Sequence, residues 1–161
     1  MSFSDWIRQF RLLHADAKKG VLGPEDLKDY RTACDEFARA LMAAQKVALK
    51  PGELPRHALR VARAVQVELE SAMTLAKVTT LDVSVGGFSA ILAKAPKIGD
   101  EFQCKLKLPT GDPLETVLTV SEVKLQPGSV RVSFAFPKLS DETKARIETL
   151  VIDTALSQIA T

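Results

Sequence analysis

The sequence predicts an α+β chain, a six-stranded antiparallel β-barrel with a C-terminal helix, preceded by an N-terminal α-helical hairpin. Three observations carry this. Apolar residues recur at spacings of three and four through the first fifty positions, they alternate with polar residues from about Val65 onward, and the helical period returns after Ser140. The change of period falls at Lys50-Pro51-Gly52, so the sequence divides into a helical hairpin over 1–50 and a barrel with its closing helix over 51–161.

The first helix is expected from Ser4, as cap, to about Lys19. Its stripe is Phe3, Trp6, Phe10, Leu13 and Ala17, and His14 has no evident partner. Lys18 and Lys19 suit the negative end of the helix dipole, and Gly20 suits the residue that follows a helix. The second helix begins at Gly23-Pro24-Glu25-Asp26, with proline where its missing N–H does no harm and two acids at the positive end. Leu27, Tyr30, Cys34, Phe37, Leu41, Ala44 and Ala48 then form a heptad seam. That seam packs within the hairpin and on the next domain, or else meets another protein or a second copy of the chain.

Val65, Val67 and Leu69 alternate with Gln66, Glu68 and Glu70; Phe102, Cys104, Leu106 and Leu108 alternate with Glu101, Gln103, Lys105 and Lys107; and Val130, Val132, Phe134 and Phe136 repeat the pattern. Further strands are expected over 75–84, 88–93 and 114–125. Breakers stand at Gly86-Gly87, Pro96 to Gly99, Pro109 to Pro113 and Gln126-Pro127-Gly128. Six short strands at this spacing make a small antiparallel barrel. A last helix starts at the Ser140 cap with Asp141 and Glu142 behind it, and carries Ile147, Leu150, Val151, Thr154 and Ala155 on one stripe.

Composition narrows the function. The 161 residues are 46 % apolar and 26 % charged, with a formal net charge of +2. Such a balance suits a globular domain and lacks the basic stripe that duplex DNA requires. Two distant cysteines, Cys34 and Cys104, no leader-like segment and no long apolar run point to a cytoplasmic protein without membrane insertion. Two histidines and two cysteines, all far apart, give no metal site. The sequence shows no nucleophile–base pair and no phosphate-binding glycine loop, so a binding module without a cofactor is expected rather than an enzyme.

Two polar clusters do not fit a plain core. Arg56-His57-Ala58-Leu59-Arg60-Val61-Ala62-Arg63 holds three arginines and no acid, which is either a solvated basic linker or a clamp for something anionic. The Cα atoms of Arg56 and Arg60 lie ~13 Å apart if the chain is extended and ~6 Å apart in a turn or helix. In Leu81-Asp82-Val83-Ser84-Val85-Gly86-Gly87, strict alternation sends Leu81, Val83 and Val85 to one face and Asp82 and Ser84 to the other. Gly86 and Gly87 then permit a tight turn or a close approach to the backbone.

Together the clusters resemble the PilZ domain family, whose signature is an RxxxR segment before the first strand and a D/NxSxxG turn within the barrel. Arg56 to Arg60 matches the first, and Asp82, Ser84 and Gly87 match the second; the resemblance covers roughly residues 54–155. It implies a bacterial receptor for cyclic di-GMP, with Arg56, Arg60, Asp82, Ser84 and Gly87 as ligand contacts and His57, Arg63 and Gly86 as secondary ones. Arginine can fork onto the guanine acceptor edge or bond phosphate, while a carboxylate accepts from guanine N–H groups. Pro55 stands where many relatives carry a further arginine, so one dinucleotide per site is expected rather than a stacked pair.

The resemblance further implies a signalling effector, in motility or surface behaviour, in which ligand capture orders residues 51–63 against the barrel and reorients the hairpin toward an effector protein. Two alternatives remain. One is a ligand-free PilZ-like adaptor for protein partners. The other is a barrel for single-stranded nucleic acid, poorly supported because residues 51–161 carry equal numbers of basic and acidic side chains and their phenylalanines fall at core positions.

Overall fold

A computed structural model describes residues 2–47, 59–72, 74–109 and 111–159. The helices are α1 (Phe3–Lys19), α2 (Pro24–Val47) and α3 (Asp141–Ser157); the strands are β1 (Gln66–Glu70), β2 (Leu75–Ser84), β3 (Gly87–Leu92), β4 (Glu101–Leu106), β5 (Leu114–Gln126) and β6 (Ser129–Ala135). These elements group into two units, residues 1–59 with 152–161 and residues 60–151, so that α3 contributes to both.

The six strands close into an antiparallel barrel in the order β1-β2-β3-β6-β5-β4. Closure leaves no edge unpaired, and the alternation is most legible in β1, β4 and β6, whose inner residues are buried and outer ones are not, whereas β3 and the end of β2 are buried on both faces. Val67 and Leu69, Phe102 and Cys104, and Val132 and Phe134 all point inward and are buried. Phe134 sits at the centre of an aromatic group, its ring centroid 5.4 Å from that of Phe88 and 5.5 Å from that of Phe102. Burial pushes the Cys104 thiol up to about 12, so it remains a protonated core side chain.

In the helical unit, Ser2 caps α1 rather than Ser4, its Oγ accepting from the Asp5 N–H. Gly20 ends the helix in the left-handed region at φ 72°. The buried stripe of α1 is Ile7, Phe10 and His14, rotated from the expected one, and Phe3 is 60 % exposed. The rotation follows from what α1 meets: Phe10 packs against Phe37 and Tyr30 of α2, at centroid distances of 5.2 and 6.1 Å. Only the middle of the α2 seam, at Tyr30 and Phe37, is fully buried; Leu27 and Ala44 are exposed, and Ala48 lies outside the described residues.

His14 does have partners. Its Nδ1 lies 2.8 Å from the Tyr30 hydroxyl and its Nε2 3.1 Å from Asp153 Oδ1, which the Lys18 ammonium also reaches at 2.8 Å. A neutral ring fits this setting, with Nε2–H donating to the carboxylate and Nδ1 accepting from Tyr30. Arg11 adds a second tie, donating to the Leu156 and Ile159 carbonyls at the end of α3.

Burial lowers the His14 pKa from its ordinary 6.5, outweighing the pull of Asp153 in the opposite direction. Desolvation alone would raise Asp153, but Lys18 and His14 bring it below 3.8. With the native His14 binding fewer protons than the unfolded one, its contribution is complete above pH 6.5 and shrinks as pH falls toward its native pKa. Asp153 contributes above pH 3.8 and loses its part only at lower pH. The melting temperature is therefore expected to fall between pH 7 and pH 5 by an amount that His14→Gln abolishes; equal slopes for the two proteins would contradict this.

Candidate functional site

The described part of the linker before β1 is tied to β2 by its own bonds. Val61 and Val83 exchange backbone hydrogen bonds at 3.0 and 2.9 Å, so their side chains share the inner face and Arg60 shares the outer face with Asp82 and Ser84. Thr80 fixes the next stretch. Its hydroxyl accepts from the Val65 N–H at 2.9 Å and donates to the Arg63 carbonyl.

Asp82 reaches that face through an irregularity that alternation does not foresee. The β2–β3 register shifts between Thr80 and Asp82, so Leu81 bulges outward, 39 % exposed, instead of joining the core with Val83, while Thr80 turns inward. Beyond the bulge, Asp82 and Ser84 point outward as expected, yet both are buried. Two guanidinium groups flank the Asp82 carboxylate. Arg131 Nη2 donates to Oδ2 at 2.9 Å, and Arg60 Nε stands 3.6 Å from Oδ1. Arg131 projects from the outer face of β6, opposite Ile91 of β3, and so spans one intervening strand to reach β2.

The β2–β3 turn is built from the rest of the motif. Ser84 and Gly87 are paired, and Ser84 Oγ accepts from the Gly86 N–H at 3.2 Å and donates to the Gly87 carbonyl at 3.3 Å. Gly86 sits in open space, where a Cβ would make only ordinary contact with Ser84 Oγ. Gly87 is different. A Cβ there would lie 1.9 Å from the Phe134 carbonyl oxygen, so the room this glycine makes is taken by the backbone of β6.

Of the residues singled out in the sequence, Arg60, Asp82, Ser84, Gly86 and Gly87 come together at one end of the outer barrel face. The Arg63 side chain is half-buried nearby in sequence, but its described bond is a backbone one. Arg56 and His57 lie outside the described residues. Sequence reasoning missed two contributors, Arg131 and Thr80. The one available signal for Arg131 was a large cation at an outward position of β6, where its outward neighbours are Ser129, Ser133 and Ala135.

A groove of about 750 Å³ has Leu81, the chain neighbour of Asp82, and Ile91, opposite Arg131, in its lining beside Thr79, Gln66 and Lys107, while Arg60, Asp82, Ser84 and Arg131 do not line it. Lys77 and Lys105 also line it, and both stand opposite Glu68 in the register, so that one carboxylate is shared between two cations. Among the described residues no group of His, Cys, Asp and Glu could hold a metal ion, and no helix is long and apolar enough to cross a membrane.

The family model for the PilZ domain matches residues 55–153. The chain belongs to the PilZ domain family. Solved structures agree on the fold. The Bacillus subtilis inhibitor of motility, MotI/DgrA, superposes with a TM-score of 0.60 at 15 % identity, over 70 % of this chain and 59 % of that one. Escherichia coli YcgR in complex with c-di-GMP gives 0.55 at 17 % identity, over 63 % and 46 %. The isolated YcgR PilZ domain with c-di-GMP gives 0.53 at 15 % identity, over 65 % of this chain and 94 % of that domain. This chain thus spans about half of the first two proteins and nearly all of the isolated PilZ domain. At these identities the likeness is one of fold. No curated protein matches the chain by sequence.

Proposed function

We propose that this PilZ domain is a receptor for cyclic di-GMP and acts by binding rather than by catalysis. The observation that carries the reading is the flanked carboxylate: Asp82 is held on the outer barrel face between Arg60 and Arg131, and its chain neighbour Leu81 lines a groove together with Ile91. A guanine offers acceptors on one edge and N–H donors on the other, and the phosphates supply charge. Guanidinium groups suit the acceptor edge and the phosphates, while the carboxylate suits the donors. Membership of a family with c-di-GMP-bound structures supports the choice of ligand.

In this reading Arg60 and Asp82 are direct contacts, joined by Arg56 from the linker and, more peripherally, by His57 and Arg63. Ser84 and Gly87 shape the turn beneath them, with Gly86 at its apex. The groove gives room for the second half of the dinucleotide. One ligand per chain follows from the missing arginine at Pro55.

Coupling to an effector protein, in motility or another surface behaviour, would pass through residues 51–59, because 60–65 are already tied to β2. The helical hairpin of 1–50 is the proposed output of the 51–161 receptor domain, and its incompletely covered α2 seam the surface offered to the effector. Calorimetry comparing cyclic di-GMP with short single-stranded oligonucleotides tests the binding: saturation at one dinucleotide per chain and no heat from the oligonucleotides is expected. Preference for the oligonucleotides would replace this reading with a nucleic-acid one, and silence from both would favour a protein adaptor. Solution scattering with and without the dinucleotide tests the coupling, which identical profiles would remove.

A further inference from the structure

Asp82 carries one negative charge, is nearly buried, and faces two cations that hold it unequally. Arg131 makes a 2.9 Å hydrogen bond to Oδ2, whereas Arg60 Nε approaches Oδ1 at 3.6 Å, outside hydrogen-bond reach, and Oδ1 accepts no hydrogen bond among the described residues. A desolvated carboxylate cannot lose its only counter-charge cheaply. If Arg60 were the sole partner, turning it toward a ligand would strand Asp82, and the cost would be subtracted from binding.

Resting on the receptor reading above, we propose that Arg131 is the positioning residue of the site, the cation that stays with Asp82 when Arg60 engages the dinucleotide. Arg131 neutralises the carboxylate and fixes Oδ2, which leaves Oδ1 as the oxygen presented to a guanine N–H. The site then has a division of labour. Arg131 belongs to the protein's own charge balance, Arg60 to the ligand, and Asp82 is shared, one oxygen to each side. The geometry permits this because Arg131 arrives from β6 and Arg60 from the linker ahead of β1, so one can move without carrying the other.

A residue that acts through Asp82 should lose its effect when Asp82 loses its charge, and a residue that touches the ligand should not. The test is a set of cyclic di-GMP titrations on the full chain: wild type, Arg131→Gln, Arg131→Lys, Asp82→Asn and the double variant Asp82→Asn/Arg131→Gln, with melting curves to establish folding. Arg131→Gln is expected to weaken binding by ~10-fold or more, as loss of a charge-assisted bond to a buried group does. Arg131→Lys, which keeps the charge, should recover most of that loss. In the Asp82→Asn background, Arg131→Gln should change the affinity by less than ~2-fold, since coupled residues are not additive.

Wild-type affinity in Arg131→Gln, or the same loss in both backgrounds, overturns the positioning role. Should Arg131→Gln fail to fold, the double variant removes both charges together, and its affinity relative to Asp82→Asn alone decides in the same way. Failure of the wild type itself to bind overturns the receptor reading and this inference with it, which separates the two.

Discussion

Gly87→Ala is expected to lower the melting temperature by about 10 °C, the consequence of a loss of ~3 kcal/mol or more. The reason is contact with backbone, which cannot rotate away as a side chain can. Gly87 pairs with Ala135, and an added Cβ would sit 1.9 Å from the Phe134 carbonyl oxygen and 3.0 Å from its carbonyl carbon. Relief requires β3 and β6 to separate at the point where Phe88 and Phe134 pack against each other behind them in the core. Because Gly87 closes the turn through its carbonyl to Ser84, the same separation would displace Asp82 from Arg131 and weaken ligand capture. Gly86→Ala is the control, since a Cβ there meets only Ser84 Oγ at 3.7 Å. Equal melting temperatures for the two alanine variants would contradict this account of the glycine motif.

Much of this was legible in the sequence, and what was not shares a cause. The strands could be read because a closed barrel turns period two into a strict inside–outside code, as at Phe102 to Leu106 and Val130 to Phe134. The cap at Ser140 was equally local: its Oγ accepts from the Thr143 N–H, three residues on. The failures depend on distant partners. Leu81 reads as a core residue until the β2–β3 bulge turns it outward, and nothing in its neighbours announces the bulge. The partner of Arg131 lies 49 residues away and Asp153, one of the two partners of His14, 139 residues away, separations at which spacing carries no information. The stripe of α1 was misplaced because its direction is set by Tyr30 and Phe37 of α2, not by the period alone.

The site was legible as a set of residue types but not as a charge balance. Asp82, Ser84 and Gly87 stood out as a motif, and the sequence placed Arg60 beside them as a clamp. Only the structure shows that Arg60 is also a neighbour of Asp82, 3.6 Å away, and that Thr80 and Val83 anchor the stretch of linker that carries it. Arg60 is therefore held near its place of action before any ligand arrives, which reduces the ordering cost of binding.

Arg60→Ala should consequently remove affinity without removing the fold. Arg131 still supplies a counter-charge and a bond to Asp82 Oδ2, and the Val61–Val83 bridge uses backbone atoms that alanine retains. One charge-assisted contact set is worth ~1.5–3 kcal/mol, which corresponds to a loss of roughly 10- to 150-fold.

Side-by-side titration of cyclic di-GMP into the wild type and Arg60→Ala is the measurement closest to the central claim, that guanidinium and carboxylate groups on the outer face of the barrel close around this dinucleotide. Saturable binding by the wild type is expected, with at least a tenfold weaker affinity for a variant that melts within a few degrees of it. Equal affinities for two folded proteins would contradict it.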